Sequence, residues 1–318
     1  METALKLNLP SPLQPFSIQA AERAGVQCLV KREDLIHPQL SGNKWRKLKY
    51  NLLRMQSLGQ KRLLTFGGAY SNHLYATAYA VHTLGLEGIA IIRGERIEPL
   101  NNTLSFVEAC GMKTVFISRS EYRRRRESAF IEELRQKYGP FYLVPEGGTN
   151  QLAIEGVEEM VFEALRQIKS AHTTLPAGAD SPQPAHWAVA CGTGGTLAGI
   201  IAGLAKAGKT EVEVLGFSAL KGDFLQAEVS KLLDQYFGPS MPKLPGWKIF
   251  TDYHFGGFAR NKPELQKFID KFTATTDIPT EHVYTGKMLY GLNELLKQNY
   301  FPAGSSVLAV HTGGMRVC

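Results

Sequence analysis

A lysine placed directly behind a glycine and an asparagine is the first chemically suggestive group, in Ser41-Gly42-Asn43-Lys44-Trp45-Arg46-Lys47-Leu48. Asn43 suits a helix N-cap and Gly42 permits a sharp turn before it, so the spacing predicts Lys44 in the first helical turn. The positive end of the helix dipole and neighbouring cations disfavour an ammonium there. The neutral amine becomes available as a nucleophile or base. Lys44, Arg46, Lys47 and Lys49 also fit the solvated face of an amphipathic helix, and for Lys47 and Lys49 we adopt that plainer reading.

Two further segments have the composition of binding turns. Phe66-Gly67-Gly68-Ala69-Tyr70-Ser71-Asn72-His73 runs from a strand into a helix. Its glycines permit close backbone approach, while Ser71, Asn72 and the free N–H groups of the helix start favour an anion such as a carboxylate or phenolate. An ordinary capped helix start fits the same residues. Cys191-Gly192-Thr193-Gly194-Gly195-Thr196-Leu197-Ala198-Gly199 has the same strand-to-helix setting and suits a phosphate cradle. It lacks the Gly-Lys-Ser/Thr of a P-loop, and Leu197 stands where the dinucleotide fingerprint needs its third glycine. A monophosphate remains, and pyridoxal phosphate is a common cofactor of that description. It requires from a protein a lysine and a separate phosphate-binding turn.

These segments need elements to hold them. Strand-length apolar runs alternate with stretches of helical period, the pattern of an α/β fold with parallel strands. Strands are expected at 26–30, 62–66, 88–92, 113–117, 142–144, 187–190, 213–217 and 307–311. Helices are expected at 44–57, 71–84, 100–110, 120–136, 151–169, 196–205, 263–272 and 286–297. The stretch from His172 to Ala185, rich in Pro, Ala, Ser and Asp, reads as an exposed loop.

At 318 residues and 44% hydrophobic content the chain can bury a large core in one large domain or two. Its longest apolar runs fall far short of the roughly 20 residues that span a bilayer. The first residues, Met1 to Lys6, lack the features of a signal peptide, so a cytoplasmic location is expected. Cys28, Cys110, Cys191 and Cys318 are scattered, which suggests reduced thiols and no zinc site. The net charge of +7 is modest. Its densest cluster, Arg123 to Arg126, reads as a solvated helix face and not as a nucleic-acid patch.

Taken together, the Gly-Asn-Lys segment, the Gly-Gly-x-x-Ser-Asn segment and the glycine-threonine turn resemble fold type II pyridoxal-phosphate enzymes. Within these, the resemblance is to the 1-aminocyclopropane-1-carboxylate deaminase and D-cysteine desulfhydrase family, and it runs from Lys31-Arg32-Glu33-Asp34 to His311-Thr312-Gly313-Gly314. It implies a two-domain, tryptophan-synthase-β-like fold, with residues 1–47 and 155–318 as the large cofactor-binding domain and 48–154 as the small one. Lys44 would be the Schiff-base lysine, with Asn72 bonded to the phenolic oxygen. Ser71 would hold the substrate carboxylate with His73 close by. Gly192, Thr193, Gly194, Gly195 and Thr196 would hold the phosphate. Val283-Tyr284-Thr285-Gly286-Lys287 resembles the family's late active-site segment, which places Tyr284 against the substrate and Thr285 at the pyridine nitrogen.

Three departures bear on substrate. Ring-opening relatives carry a glutamate at the position of Thr285, a leucine at that of Thr312, and a tyrosine where Phe258 stands. A threonine hydroxyl leaves the pyridine ring closer to neutral than a carboxylate does. β-Elimination tolerates that weaker electron sink better than carbon–carbon cleavage. The resemblance therefore implies a desulfhydrase acting on a D-amino acid such as D-cysteine, in a homodimer. D-Serine, 1-aminocyclopropane-1-carboxylate and a non-catalytic phosphate-ligand binder are the alternatives.

Overall fold

A computed structural model describes residues 1–40, 42–174 and 183–315, the side chains of 171–174 excepted. The strands are β1 (Leu13–Phe16), β2 (Gln27–Lys31), β3 (Arg62–Gly68), β4 (Glu87–Arg93), β5 (Lys113–Ile117), β6 (Tyr142–Val144), β7 (His186–Cys191), β8 (Glu213–Ser218), β9 (Trp247–Phe250) and β10 (Ser306–Val310). They form two sheets, one of six strands in the order β1-β2-β10-β7-β8-β9 and one of four in the order β5-β4-β3-β6. All pairs are parallel except β1 with β2. Parallel strands need cover on both faces, and β10 accordingly buries all of its residues.

Most elements stand where the periodicity puts them, and the differences have physical causes. β1 contains Pro15, which disqualifies a central strand but is tolerated at an antiparallel edge. β9 is a second short, half-buried edge strand. The expected helix 120–136 is broken into Arg119–Arg123, a 3-10 turn at Arg124–Arg126, and Ser128–Tyr138. Ser118 and Glu121 form a capping box at its start. A helix at Phe224–Phe237 has no counterpart among the elements expected from periodicity. The helix from Gln151 continues to Thr174, so His172 to Thr174 are helical and not loop. Residues 175–182 of that expected loop lie outside the described residues, and 183–185 are irregular as expected.

The lysine-bearing helix Asn43–Ser57 packs on the helix Gln151–Thr174 at very short range. A Cβ added to Gly156 would lie 1.8 Å from the Arg46 carbonyl oxygen, so only glycine permits this approach. Beside the contact, four buried charges neutralise one another. Arg46 donates to Glu33 at 2.8 Å and to Glu163 at 3.1 Å, and Lys31 donates to Glu163 at 2.5 Å. Burial opposes the charge on Glu163, yet Arg46 and Lys31 outweigh it and hold its carboxyl below the ordinary range. The cluster joins β2, the lysine helix and the helix Gln151–Thr174.

Removing one member of such a cluster strands its partners. Glu163→Ala is expected to destabilise the fold by about 3–5 kcal/mol, read as a lowered midpoint in urea unfolding. A loss below about 1 kcal/mol would assign the cluster no more weight than a surface ion pair.

Candidate active site

The C-terminal ends of both sheets open onto one cavity of about 810 Å³, the position at which open α/β sheets bind ligands. From β3 comes the loop leading to the helix Asn72–Thr83, and from β7 the turn leading to the helix Gly195–Lys206. β10 runs on into Thr312, Gly313 and Gly314, which line the same space.

Lys44 is partly buried and faces this cavity. Burial pulls its ammonium down to about 8, so a useful fraction of free amine exists near neutrality. The N-cap of its helix is Gly42 and not Asn43. Gly42 has φ +63°, and a Cβ there would lie 1.8 Å from the Thr312 carbonyl oxygen. Asn43 instead reaches across the chain. Its Nδ2 donates to Thr196 Oγ1 at 2.7 Å, tying the lysine helix to the glycine-threonine turn.

In that turn Gly192, Thr193, Gly194 and Thr196 line the cavity. Gly194 is left-handed at φ +79°, which aims the first N–H groups of the following helix inward. Gly195 is buried and is not among the lining residues. A Cβ there would lie 2.7 Å from Thr149 Cγ2 and 3.1 Å from Lys47 Nζ.

Lys47 overturns the expectation of a solvated helix face. It is buried, and its Nζ donates to Thr149 Oγ1 at 3.1 Å and the Gly147 carbonyl at 3.3 Å, with Thr193 Oγ1 at 3.5 Å. Burial first, then the neighbouring Lys44, hold its ammonium well below the ordinary lysine range. The i, i+3 spacing from Lys44 was the available signal, because it places both amines on one helix face. Thr149, whose hydroxyl lies 2.6 Å from that of Thr193, carries no such signal in the sequence. Lys49 is partly exposed and pairs with Glu159 at 2.7 Å.

The second turn places Ser71 as N-cap of its helix, its hydroxyl accepting from the Leu74 amide at 3.3 Å. Ser71 and Asn72 both line the cavity. His73 also lines the cavity, though it is almost wholly buried, with Nε2 2.7 Å from Thr65 Oγ1. Burial and then Lys44 and Lys47 keep its imidazole neutral. It supports the wall, since its ring is engaged with the sheet.

Tyr284 and Thr312 line the cavity. Gly192 packs on the Tyr284 ring so closely that a Cβ would lie 3.0 Å from it. Phe258 meets the other edge of that ring, centroids 5.9 Å apart, which puts the missing hydroxyl at the site itself. Thr285 is fully buried and is not among the lining residues. Its hydroxyl is 2.7 Å from Thr280 Oγ1 and 3.1 Å from Glu281 Oε1. The Glu281 carboxylate accepts from the amides of Val283, Tyr284 and Thr285 and so caps the helix Thr285–Lys297. The run Arg123 to Arg126 is also corrected, because Arg125 and Arg126 line the cavity.

A phosphate ester fits these residues. The free N–H groups of a helix start, the hydroxyls of Thr193 and Thr196, and the buried Lys47 ammonium line the cavity together, with Thr149 supporting Thr193 and Lys47 from behind. Lys44 opens onto the same space, so a single small molecule can meet both. This arrangement defines an enzyme that carries a phosphorylated aldehyde on a lysine. From residue 5 to residue 313 the chain matches the family described as pyridoxal-phosphate dependent enzyme, and it belongs to that family.

Among its relatives, a putative 1-aminocyclopropane-1-carboxylate deaminase of Thermotoga maritima is 30% identical, over 96% of this chain and 94% of that protein. The bifunctional D-cysteine desulfhydrase/1-aminocyclopropane-1-carboxylate deaminase, mitochondrial, of Arabidopsis thaliana is 30% identical over 97% and 77%. A solved structure described as an ACC deaminase homologue superposes with TM-score 0.80 at 27% identity, covering 97% of this chain and 90% of that one. The fold is thus that of the fold type II enzymes, the cofactor is pyridoxal 5'-phosphate, and among the described residues no helix is long and apolar enough to cross a membrane.

Two outcomes are expected. Uptake of the aldehyde by cofactor-free protein, followed by absorbance, should rise with pH to a midpoint near 8 and level off above it, because only the neutral amine reacts. A midpoint near the ordinary lysine value of about 10.4 would contradict the burial of Lys44. Lys47→Met should weaken cofactor affinity about 10- to 100-fold through loss of a charge-assisted contact, measured by fluorescence titration. An unchanged affinity would remove Lys47 from the phosphate end.

Proposed function

We propose that the chain is a lyase that takes D-cysteine, by β-elimination, to pyruvate, ammonia and hydrogen sulfide. The observation that carries the reading is the convergence of Lys44, the Ser71–Asn72 turn and the glycine-threonine turn on one cavity, together with a threonine and not a carboxylate at position 285. Pyridoxal phosphate, when bound, supplies an electron sink for the pair left at Cα. The phosphate would rest on Gly192, Thr193, Gly194, Thr196 and Lys47, with Gly195 behind them. Asn72 would bond the phenolic oxygen, and the Ser71 hydroxyl would orient the substrate carboxylate.

Burial lowers Lys44 to about 8, so a fraction of it is free amine near neutrality that can take the Cα proton and, once protonated, return it. Tyr284, in contact with Gly192 and edge-on with Phe258, would close the substrate side. Thr285 would face the pyridine nitrogen from its buried position. Glu281 behind it is engaged by three backbone amides, so its carboxyl is committed to the helix start and not turned to that nitrogen. A weak sink suits departure of a thiol better than opening of a cyclopropane ring. The names of the relatives keep 1-aminocyclopropane-1-carboxylate as the rival substrate, and a binder without catalysis as the rival class.

The domain division proposed is 1–47 with 155–318 against 48–154, in a cytoplasmic homodimer. Size-exclusion chromatography with light scattering tests the last point. Function is tested by pyruvate release: wild-type protein is expected to prefer D- over L-cysteine and over 1-aminocyclopropane-1-carboxylate. Lys44→Ala should lose about 10³-fold or more in turnover. Equal turnover by wild type and variant, or faster ring opening than thiol release, would overturn the reading.

A further inference from the structure

Three guanidiniums, those of Arg93, Arg125 and Arg126, also reach the cavity wall. Two are neutralised there. Arg125 pairs with Glu146 at 2.7 Å and Arg126 with Glu228 at 3.2 Å, which uses both acidic residues lining the cavity. Arg93 has no carboxylate partner among the described residues. Its guanidinium carbon lies 5.7 Å from the centre of the Tyr122 ring, which a second guanidinium, that of Arg125, meets at 4.9 Å. An arginine stays charged at any working pH, so this one sits at the cavity without a counter-ion.

Its place in the fold gives that charge a direction. Arg93 ends β4 in register with Gly68, the end of β3, where the loop to Ser71 and Asn72 begins. A Cβ on Gly68 would lie 3.5 Å from the Arg93 guanidinium, so the missing side chain leaves the charge beside that loop. On the reading above, Lys44, Lys47 and Asn72 belong to the cofactor, and Ser71 takes the α-carboxylate. A further anion on the substrate is what Arg93 lacks.

We propose that Arg93 forms a second anion subsite, so that besides a thiol the enzyme expels phosphate, sulfate or thiosulfate from the β-carbon of substituted alanines. The proposal rests on the lyase reading above and extends it to substrates with an anionic leaving group. The Cα proton passes to a base, and the Cβ–O or Cβ–S bond breaks with its electron pair leaving on that oxygen or sulfur. The released enamine takes a proton at Cβ to become an imine, and water adds to the imine carbon and expels ammonia to give pyruvate. Negative charge grows on the leaving group as the bond breaks, and a fixed guanidinium is already placed to meet it.

The test uses cofactor-loaded protein and two readouts. In elimination, the ratio of kcat/KM for O-phosphoserine over serine of the same hand is expected to fall at least tenfold in Arg93→Gln and to be partly restored in Arg93→Lys. In calorimetry, aspartate is expected to bind at least tenfold more tightly than its neutral isostere asparagine, with the difference shrinking in salt and vanishing in Arg93→Gln. An equal loss for phosphoserine and serine would give Arg93 to the α-carboxylate, and equal binding of the two isosteres would remove the subsite. Either result overturns the proposal. If no substrate yields pyruvate but the aspartate preference persists and depends on Arg93, the lyase reading fails and the anion subsite stands.

Discussion

Lys31, Glu33, Arg46 and Glu163 carry two charges of each sign into the interior, where any one alone would cost several kcal/mol to desolvate, so each must find its counter-ion there. The bonds of Arg46 to Glu33 and Glu163 fix the rotation of its helix. At about 100° per residue, Arg46 stands about 200° round from Lys44, while Lys47 returns to within about 60° of it. Anchoring the guanidinium inside therefore presents both amines to the cavity on the opposite side. The Gly156 contact sets the depth of the same helix, and the position of the reactive amine follows from the two together.

The cavity is the electrostatic complement of that interior cluster. Inside, charges cancel. Facing the ligand, Lys44, Lys47 and Arg93 have no carboxylate beside them among the described residues, while Arg125 and Arg126 do. Burial holds Lys44 near neutrality in its titration, and the Lys44 charge in turn lowers Lys47 and His73. A doubly anionic phosphate relieves this crowding, so the cofactor supplies the negative charge that the fold withholds. The two turns add partial charge from helix N-termini at the same point.

What the sequence disclosed follows how local each determinant is. Lys44, the Ser71–Asn72 turn and the glycine-threonine turn are encoded by residues a few positions apart, and all meet at the cavity as their spacing implies. Lys47 reads as solvent-facing because its partners, Gly147, Thr149 and Thr193, are 100 or more positions away, and no window around it reveals them. Asn43 looks like a cap and serves as a cross-chain donor for a similar reason. β1 is hidden by Pro15, and the 3-10 turn at Arg124–Arg126 hides two cavity-lining residues inside an apparently uniform basic helix. Thr285 is placed by resemblance alone, and its buried contacts with Thr280 and Glu281 cannot be read from spacing.

The strand order carries a further implication for biosynthesis. β10 lies between β2 and β7, two of the structure's earlier strands, and its continuation sits against Gly42 directly ahead of the reactive lysine. The four-stranded sheet draws only on residues 62–144 and can assemble while later residues are still being added. The larger sheet keeps a gap until residue 310 is free of the ribosome. Nascent chains thus have no completed pocket, and capture of the aldehyde is postponed until translation has passed the final strand.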